Sequence, residues 1–264
     1  MIDVIYSVAR IKLTAYQRNR PRQSDIGLDE TVTVQVDKAS KQPVRALGSK
    51  ERRRRESDDR MIRAAIRLIG RHGIAGTSVA DIGVEAGYSR GLPVQRFGTK
   101  LHLLTAVIDT IEENFSRKVA QKTIGLQGVA ALCERIRTHM ELVSKEPAAA
   151  TALYCLVIDS MTLMPELRPR IMELQVSNYE SLLAHVREAR SLGEIGRDVD
   201  IEHSTRAIAA ILSGMTMQAL VQGSTALLPG QAKNVTRIVL GELALERSAQ
   251  ARTVQRRSQV KVRA

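Results

Sequence analysis

The chain has 264 residues, 44% of them hydrophobic, 26% charged and 3% aromatic, with a formal net charge of +12. That is enough apolar sequence to build the core of one or two domains. The charge is concentrated at the ends: residues 1–55 carry 13 Lys/Arg against 6 Asp/Glu, residues 247–264 carry 6 basic residues and no acidic one, and 56–246 stand at −1. The total therefore describes two cationic tails and implies no basic globular surface. Two cysteines, Cys133 and Cys155, cannot make a disulfide framework and fit a reducing compartment. The first dozen residues lack the apolar run of a signal peptide. The most apolar stretch, Ala207 to Val221, is 15 residues long, against about 20 for a membrane span. A cytoplasmic protein with no membrane partner is expected.

Residues 1–56 form a basic extension in which only the alternation Thr31-Val32-Thr33-Val34-Gln35-Val36 has a strand pattern. A lone strand has nothing to bury against. The segment is expected to be disordered, ending in Gly48-Ser49-Lys50 and the run Arg52–Arg55; the alternative is a downstream start codon that leaves it untranslated. From Ser57 the period becomes helical, with Ile62, Ala65, Ile66 and Ile69 on one face and Arg60, Arg63, Arg67 and Arg71 on the other. Ser57 is the expected N-cap and Gly73 the stop. A second helix starts at Thr77/Ser78, where Ser78-x-x-Asp81 is a capping-box variant, and ends before Gly87. A third follows Ser89, and a fourth follows Gly98-Thr99 and runs to about Lys122. Further helices are expected near 127–145, 147–164, 166–192, 199–223 and 230–249, broken by Gly125/Gly128, Pro147, Pro165, Gly193/Gly196 and Pro229/Gly230. With no strand pattern after residue 50, the expected fold class is all-α.

Helices two and three, joined at Gly87-Tyr88 and packed on helix one, have the pattern of a helix-turn-helix over about 78–97. A short turn makes the two helices cross steeply, so the second protrudes and its first residues can meet base edges in the major groove. Gly83 is small where they touch; Ile82, Ala86, Leu92 and Phe97 supply the small core. Ser89, Arg90, Gln95 and Arg96 carry hydrogen-bonding groups of the kinds that read guanine and adenine edges. Thr77 and Ser78, at a helix N-terminus, can donate to a phosphate. Lys100 sits in the first turn of helix four, where a cation opposes the helix dipole and a DNA phosphate would reverse the penalty. Any one of these residues alone is more often a solvated surface group; the cluster carries the reading.

The stretch from Arg63 to Leu104, with Gly73, Thr77-Ser78-Val79-Ala80-Asp81-Ile82-Gly83-Val84-Glu85-Ala86-Gly87-Tyr88-Ser89-Arg90-Gly91 and Phe97-Gly98-Thr99-Lys100 in register, resembles the amino-terminal domain of TetR-type transcriptional regulators. The helical remainder, with Gly193-Glu194-Ile195-Gly196-Arg197-Asp198-Val199-Asp200 before a long helix, is similar to that family's effector and dimer domain. Three positions depart from the family pattern. Val94 stands for the usual Tyr and forgoes an aromatic backbone contact, Arg96 stands for His and adds a charge, and Pro93 replaces an apolar residue and requires helix three to start by Arg90. The resemblance implies a homodimer that binds a double-stranded DNA operator through Thr77, Ser78, Ser89, Arg90, Gly91, Val94, Gln95, Arg96 and Lys100. It also implies a repressor released by a small-molecule effector. The expected division is 1–56 extension, 57–103 DNA-binding domain, 104–248 effector and dimerisation domain, and 249–264 basic tail.

The last two long helices carry apolar stripes: Ile208, Ile211, Leu212, Met215 and Ala219, then Val235, Ile238, Val239 and Leu243. Paired across a two-fold axis, two such helices per subunit make a four-helix interface, with Gly214 allowing close approach; the alternative is that they pack inside one subunit. On the middle helices, His139, Tyr154, Cys155, Ile158, Met161 and Tyr179 gather with Met140, Met164 and Met172 as candidate lining of a repackable apolar pocket, or equally as ordinary core. The sequence holds no G-x-S-x-G, H-E-x-x-H, C-x-x-C or phosphate-cradling glycine loop, and its five histidines have no metal-ligand spacing. No catalytic residue, metal or cofactor is expected. The rival readings are a non-specific nucleic-acid binder driven by the tails, and a helical enzyme without a recognisable motif.

Overall fold

The computed structural model describes residues 48–241 and 243, so the alternation at 31–36, the basic tail at 249–264 and the end of the last helix lie outside the described residues. Every regular element among the described residues is helical: α1 Ser49–His72, α2 Val79–Glu85, α3 Leu92–Phe97, α4 Lys100–Lys122, α5 Gly128–Lys145, α6 Pro147–Asp159, α7 Arg168–Ser191 and α8 Ile201–Val221. A last helix, α9, runs over 228–241. Short 3-10 turns at Pro165–Leu167 and Thr225–Leu227 lead into α7 and α9.

The helix ends follow capping chemistry closely. Asp81 N–H donates to the Ser78 hydroxyl (3.1 Å), which in turn donates to Asp81 Oδ2 (2.6 Å); this reciprocal pair fixes the start of α2. Thr99 accepts from His102 N–H at α4, and Asp200 accepts from Glu202 and His203 N–H at α8.

Three boundaries differ from the sequence expectation. Helix α1 starts at Ser49, so Ser49, Lys50 and the Arg run are helical, supported by i,i+4 pairs Arg55–Glu51 and Arg52–Glu56. Ser57 is no cap; its hydroxyl donates to the Arg54 carbonyl. Helix α3 starts at Leu92, not by Arg90, because Pro93 occupies a first-turn position where its missing N–H leaves nothing unsatisfied. Helix α6 stops at Asp159, where the chain turns and Met164 N–H returns to the Asp159 carbonyl.

Two apolar clusters hold these helices. One joins Met61, Ile62, Ala65 and Ile69 of α1, Ile82 of α2 and Leu103, Leu104, Val107 and Ile108 of α4 to Ala152 and Leu156 of α6, Leu167, and Ile171 and Leu174 of α7. The other joins Leu132, Ile136 and Met140 of α5, Leu182 and Val186 of α7, Ile208, Leu212 and Ala219 of α8, and Val235, Val239 and Leu243. The first cluster is not closed within residues 57–103, since α4 runs through the expected boundary and α6 and α7 complete it.

Candidate nucleic-acid interface and interior cavity

The turn between α2 and α3 is built by two glycines. Gly87 takes φ 81°, which lets Tyr88 N–H reach the Gly83 carbonyl (2.8 Å) and Gly87 N–H the Val84 carbonyl (2.9 Å). At Gly83 a Cβ would lie 2.5 Å from the Ser89 carbonyl oxygen and 3.1 Å from Pro93; only glycine lets α2 approach the turn this closely. Ile82 is buried, and Ala86, Leu92 and Phe97 pack against the same cluster, as the sequence pattern required.

Past that turn, Ser89, Arg90, Gly91, Val94 and Gln95 are all exposed, while Arg96 is half-buried. Val94, an apolar residue in the middle of α3, is 53% exposed. Across the turn, Ser78 is exposed at the start of α2, but Thr77 is buried and its hydroxyl donates to the Gly73 carbonyl (2.8 Å). That hydroxyl is engaged inside the head, as is the Thr77 N–H, which donates to the Ile74 carbonyl (3.3 Å). Lys100 is half-buried, and its Nζ donates to the carbonyls of Ile74 (2.8 Å) and Thr77 (2.7 Å). Burial lowers its pKa, with Asp159 acting in the opposite direction. Its ammonium holds the α1–α2 loop and lies beside the α2 N-terminus.

A second feature is a cavity of about 270 Å³ between α1, α4, α5, α6, α7 and α8. His139 and Tyr154 line it, as expected. Cys155, Ile158, Met161 and Tyr179 do not: Cys155 packs against the α1–α4 cluster, Ile158 and Met161 are exposed, and Tyr179 is buried. The pocket expectation is corrected at those four positions, and Met140 lies in the other core. The reason is register: of the expected residues on α6 only Tyr154 faces the cavity, beside Ala149, Ala150 and Leu153.

Arg135 also lines the cavity and was not singled out from the sequence. It is 3% exposed. Its Nη2 donates to the carbonyl and Oδ1 of Asn178 (3.2 and 3.3 Å), its guanidinium carbon lies 5.1 Å from the Phe115 ring centroid, and its buried Nε has no hydrogen-bond partner. Burial pulls its pKa down to about 10, leaving it charged at neutral pH. One turn on, His139 packs edge-on to Phe115 (centroids 5.9 Å apart) and its Nε2 lies 2.9 Å from Thr216 Oγ1. Burial and the Arg135 charge bring its pKa down to about 4, so the imidazole is neutral. Tyr154 OH donates to the Ser213 carbonyl (2.9 Å). The signal for Arg135 was available: at 132, 135, 136, 139, 140 and 143 it shares the apolar stripe of α5.

Most of the stripe expected at the dimer interface packs within the subunit. Ile208, Leu212, Ala219, Val235 and Val239 are buried in this chain's own core, and Ile211 and Met215 pack against it; their stripes face α5 and α7. Of the named residues only Ile238 is exposed, at 55%. The outward face of α8 carries Ala210, Gly214 and Val221, the last 80% exposed, and a Cβ at Gly214 would meet nothing within 4 Å. Among the described residues no helix is long and apolar enough to cross a membrane, and no group of three His, Cys, Asp or Glu could hold a metal ion.

Residues 61–107 match the model of the bacterial regulatory proteins, tetR family. No curated protein matches the chain. Among solved structures, a TetR-family regulator from Rhodococcus sp. aligns with TM-score 0.63 at 18% identity, covering 72% of this chain and 99% of that one. The fatty acid degradation regulator FadR from Bacillus halodurans aligns with TM-score 0.63 at 19% identity over 70% and 95%. A TetR transcriptional regulator from Chloroflexus aurantiacus aligns with TM-score 0.63 at 22% identity over 72% and 96%.

Proposed function

We infer that this chain, with a tetR-family sequence over residues 61–107 and the fold of TetR-family regulators around it, is a sequence-specific transcriptional repressor that leaves its operator when a small effector fills the interior cavity. One observation carries the reading: the Gly83 contact and the Gly87 turn present α3 with Arg90, Val94 and Gln95 bare to solvent, in the arrangement that lets a second helix enter the major groove. Arg90 and Gln95 read base edges, Val94 meets a thymine methyl, and the main-chain N–H of Ser78, whose hydroxyl donates to Asp81, meets a phosphate. Ser89, Gly91 and Arg96 flank this surface. We take 57–103 as the reading head and 104–248 as the effector and dimerisation part, with α4 shared between them.

The protein works as a homodimer. Supporting this are the apolar residues left outward on the last two helices, Val221 and Ile238 foremost, and the open space over Gly214. A second copy covering that face buries them, for which more than about 1,000 Å² is needed. Selection from a random DNA library with the full chain tests the reading. A near-palindromic site is expected, with half-site centres about one helical turn or a multiple apart, preferred roughly 10³-fold or more over random DNA. Enrichment of no sequence would leave only tail-driven charge binding.

A further inference from the structure

Burying an arginine without a carboxylate partner is costly, because the charge is desolvated and nothing of opposite sign offsets it. Arg135 is in that position: among the described residues its side chain meets the neutral Asn178 and the Phe115 face, and Nε meets nothing. The one acid beside it in the cavity wall from α4, Glu112, is taken by Arg170, which also pairs with Asp109 (2.7 Å). The other charged lining groups, Arg117, Lys118 and Glu146, are exposed. The neutral His139 adds no positive charge, and the remaining wall is largely apolar, with Ile66, Ile111, Leu142 and Leu153.

We propose that the cavity takes a small amphipathic carboxylate, its anionic group seated on the Arg135 guanidinium and its apolar body against Ile66, Ile111, Leu142 and Leu153. A buried guanidinium that meets only neutral partners has donor capacity and charge left for a carboxylate, through charge-assisted hydrogen bonds. The volume of about 270 Å³ lies just below the range of about 300–1,000 Å³ typical of small-molecule sites, which suits a small ligand. This rests on the effector reading above and names the chemistry of that effector.

The test is calorimetric titration of the full-length protein, without DNA, with octanoate, octanamide and octylamine. Octanoate is expected to bind about ten- to a hundred-fold more tightly than the amide, the scale of a charged hydrogen bond, and the ammonium more weakly still. Arg135→Gln should erase the preference for octanoate over octanamide, and Ser181→Trp, which fills the cavity from an exposed lining position, should abolish binding of all three. Equal binding of acid and amide to the unaltered protein, or no binding of octanoate, overturns the proposal; this comparison needs no variant to fold. Octanoate binding that depends on Arg135, in a chain that selects no DNA sequence, would sustain this site and refute the regulatory reading. Sequence-specific DNA binding with no preference for the acid would refute this site alone.

Discussion

Two basic or polar side chains of the head, Gln95 and Lys100, separate reading from scaffolding. Gln95 is exposed on α3 and makes no contact that the head depends on, so Gln95→Ala should weaken the selected operator by roughly 1–3 kcal/mol and leave random DNA unchanged. Lys100 differs, because its ammonium satisfies the Ile74 and Thr77 carbonyls. Lys100→Met leaves both without that donor and should destabilise the fold by about 1–3 kcal/mol, lowering affinity for every DNA alike. Urea denaturation and a salt titration on both DNAs check the pair. A Lys100→Met protein of full stability that binds DNA weakly would make Lys100 a phosphate contact and nothing more. His139 gives a pH signature of the same kind. Its pKa is about 4 folded against about 6.5 unfolded, so the unfolded chain binds the extra proton as pH falls. The stability is therefore fully present above pH 6.5 and is lost on acidification through 4. His139 keeps part of its surface open, which reduces the effect to on the order of 2 kcal/mol. Denaturation at pH 7.5 and 4.5 should show this loss, and His139→Gln should remove most of it.

At the scale of helices, the sequence was legible wherever a period or a cap decides the structure locally. The Ser78–Asp81 pair, the stop at Gly73 and the turn at Gly87 depend on neighbours a few residues away, and all stand where the pattern put them. What periodicity cannot say is which partner an apolar stripe meets. The stripe Ile208–Leu212–Ala219 faces α5 and α7 of the same chain, and the stripe read as pocket on α6 divides between core, cavity and surface. Arg135 was hidden for a related reason: a charge on an apolar face becomes notable only when the acids of the surrounding walls are known to be paired elsewhere or exposed. The dimer test changes accordingly. Leu212→Glu buries an unpaired carboxylate in the subunit core and should unfold the chain. Val221→Glu or Gly214→Arg, on the outward face, should give folded monomer in light scattering and lose operator binding. A folded Val221→Glu dimer with unchanged operator affinity would move the interface elsewhere.

Across the whole molecule, the reading head and the cavity share walls. Ile66 of α1 both lines the cavity and packs in the cluster that holds α2 and α4, and α4 supplies Ile111, Glu112 and Phe115 to the cavity after carrying Lys100 at its start. Arg170 of α7 grips Asp109 and Glu112 on the same helix. A ligand entering the cavity therefore presses on α1 and α4 together, the two helices on which the α2–α3 unit rests. For that contact to act as a switch, the ligand must bind the DNA-free arrangement better than the DNA-bound one, and the operator must weaken ligand binding by the same factor. Shortening Ile66 should reduce this coupling while leaving both sites in place. Ile66→Ala trims a partly buried side chain, at a cost of no more than about 2 kcal/mol, and relieves the pressure the ligand exerts on α1. The expected result is octanoate affinity and operator affinity each within a few-fold of the unaltered protein when measured alone. The ligand-induced loss of operator binding should shrink by about tenfold, with the operator's effect on ligand affinity shrinking equally. Fluorescence anisotropy of labelled operator across an octanoate titration, paired with calorimetry in the presence of operator, measures both. If Ile66→Ala left the coupling intact while Arg170→Ala abolished it, the signal would pass through the α7–α4 ion pairs, and α1 would be a passive wall.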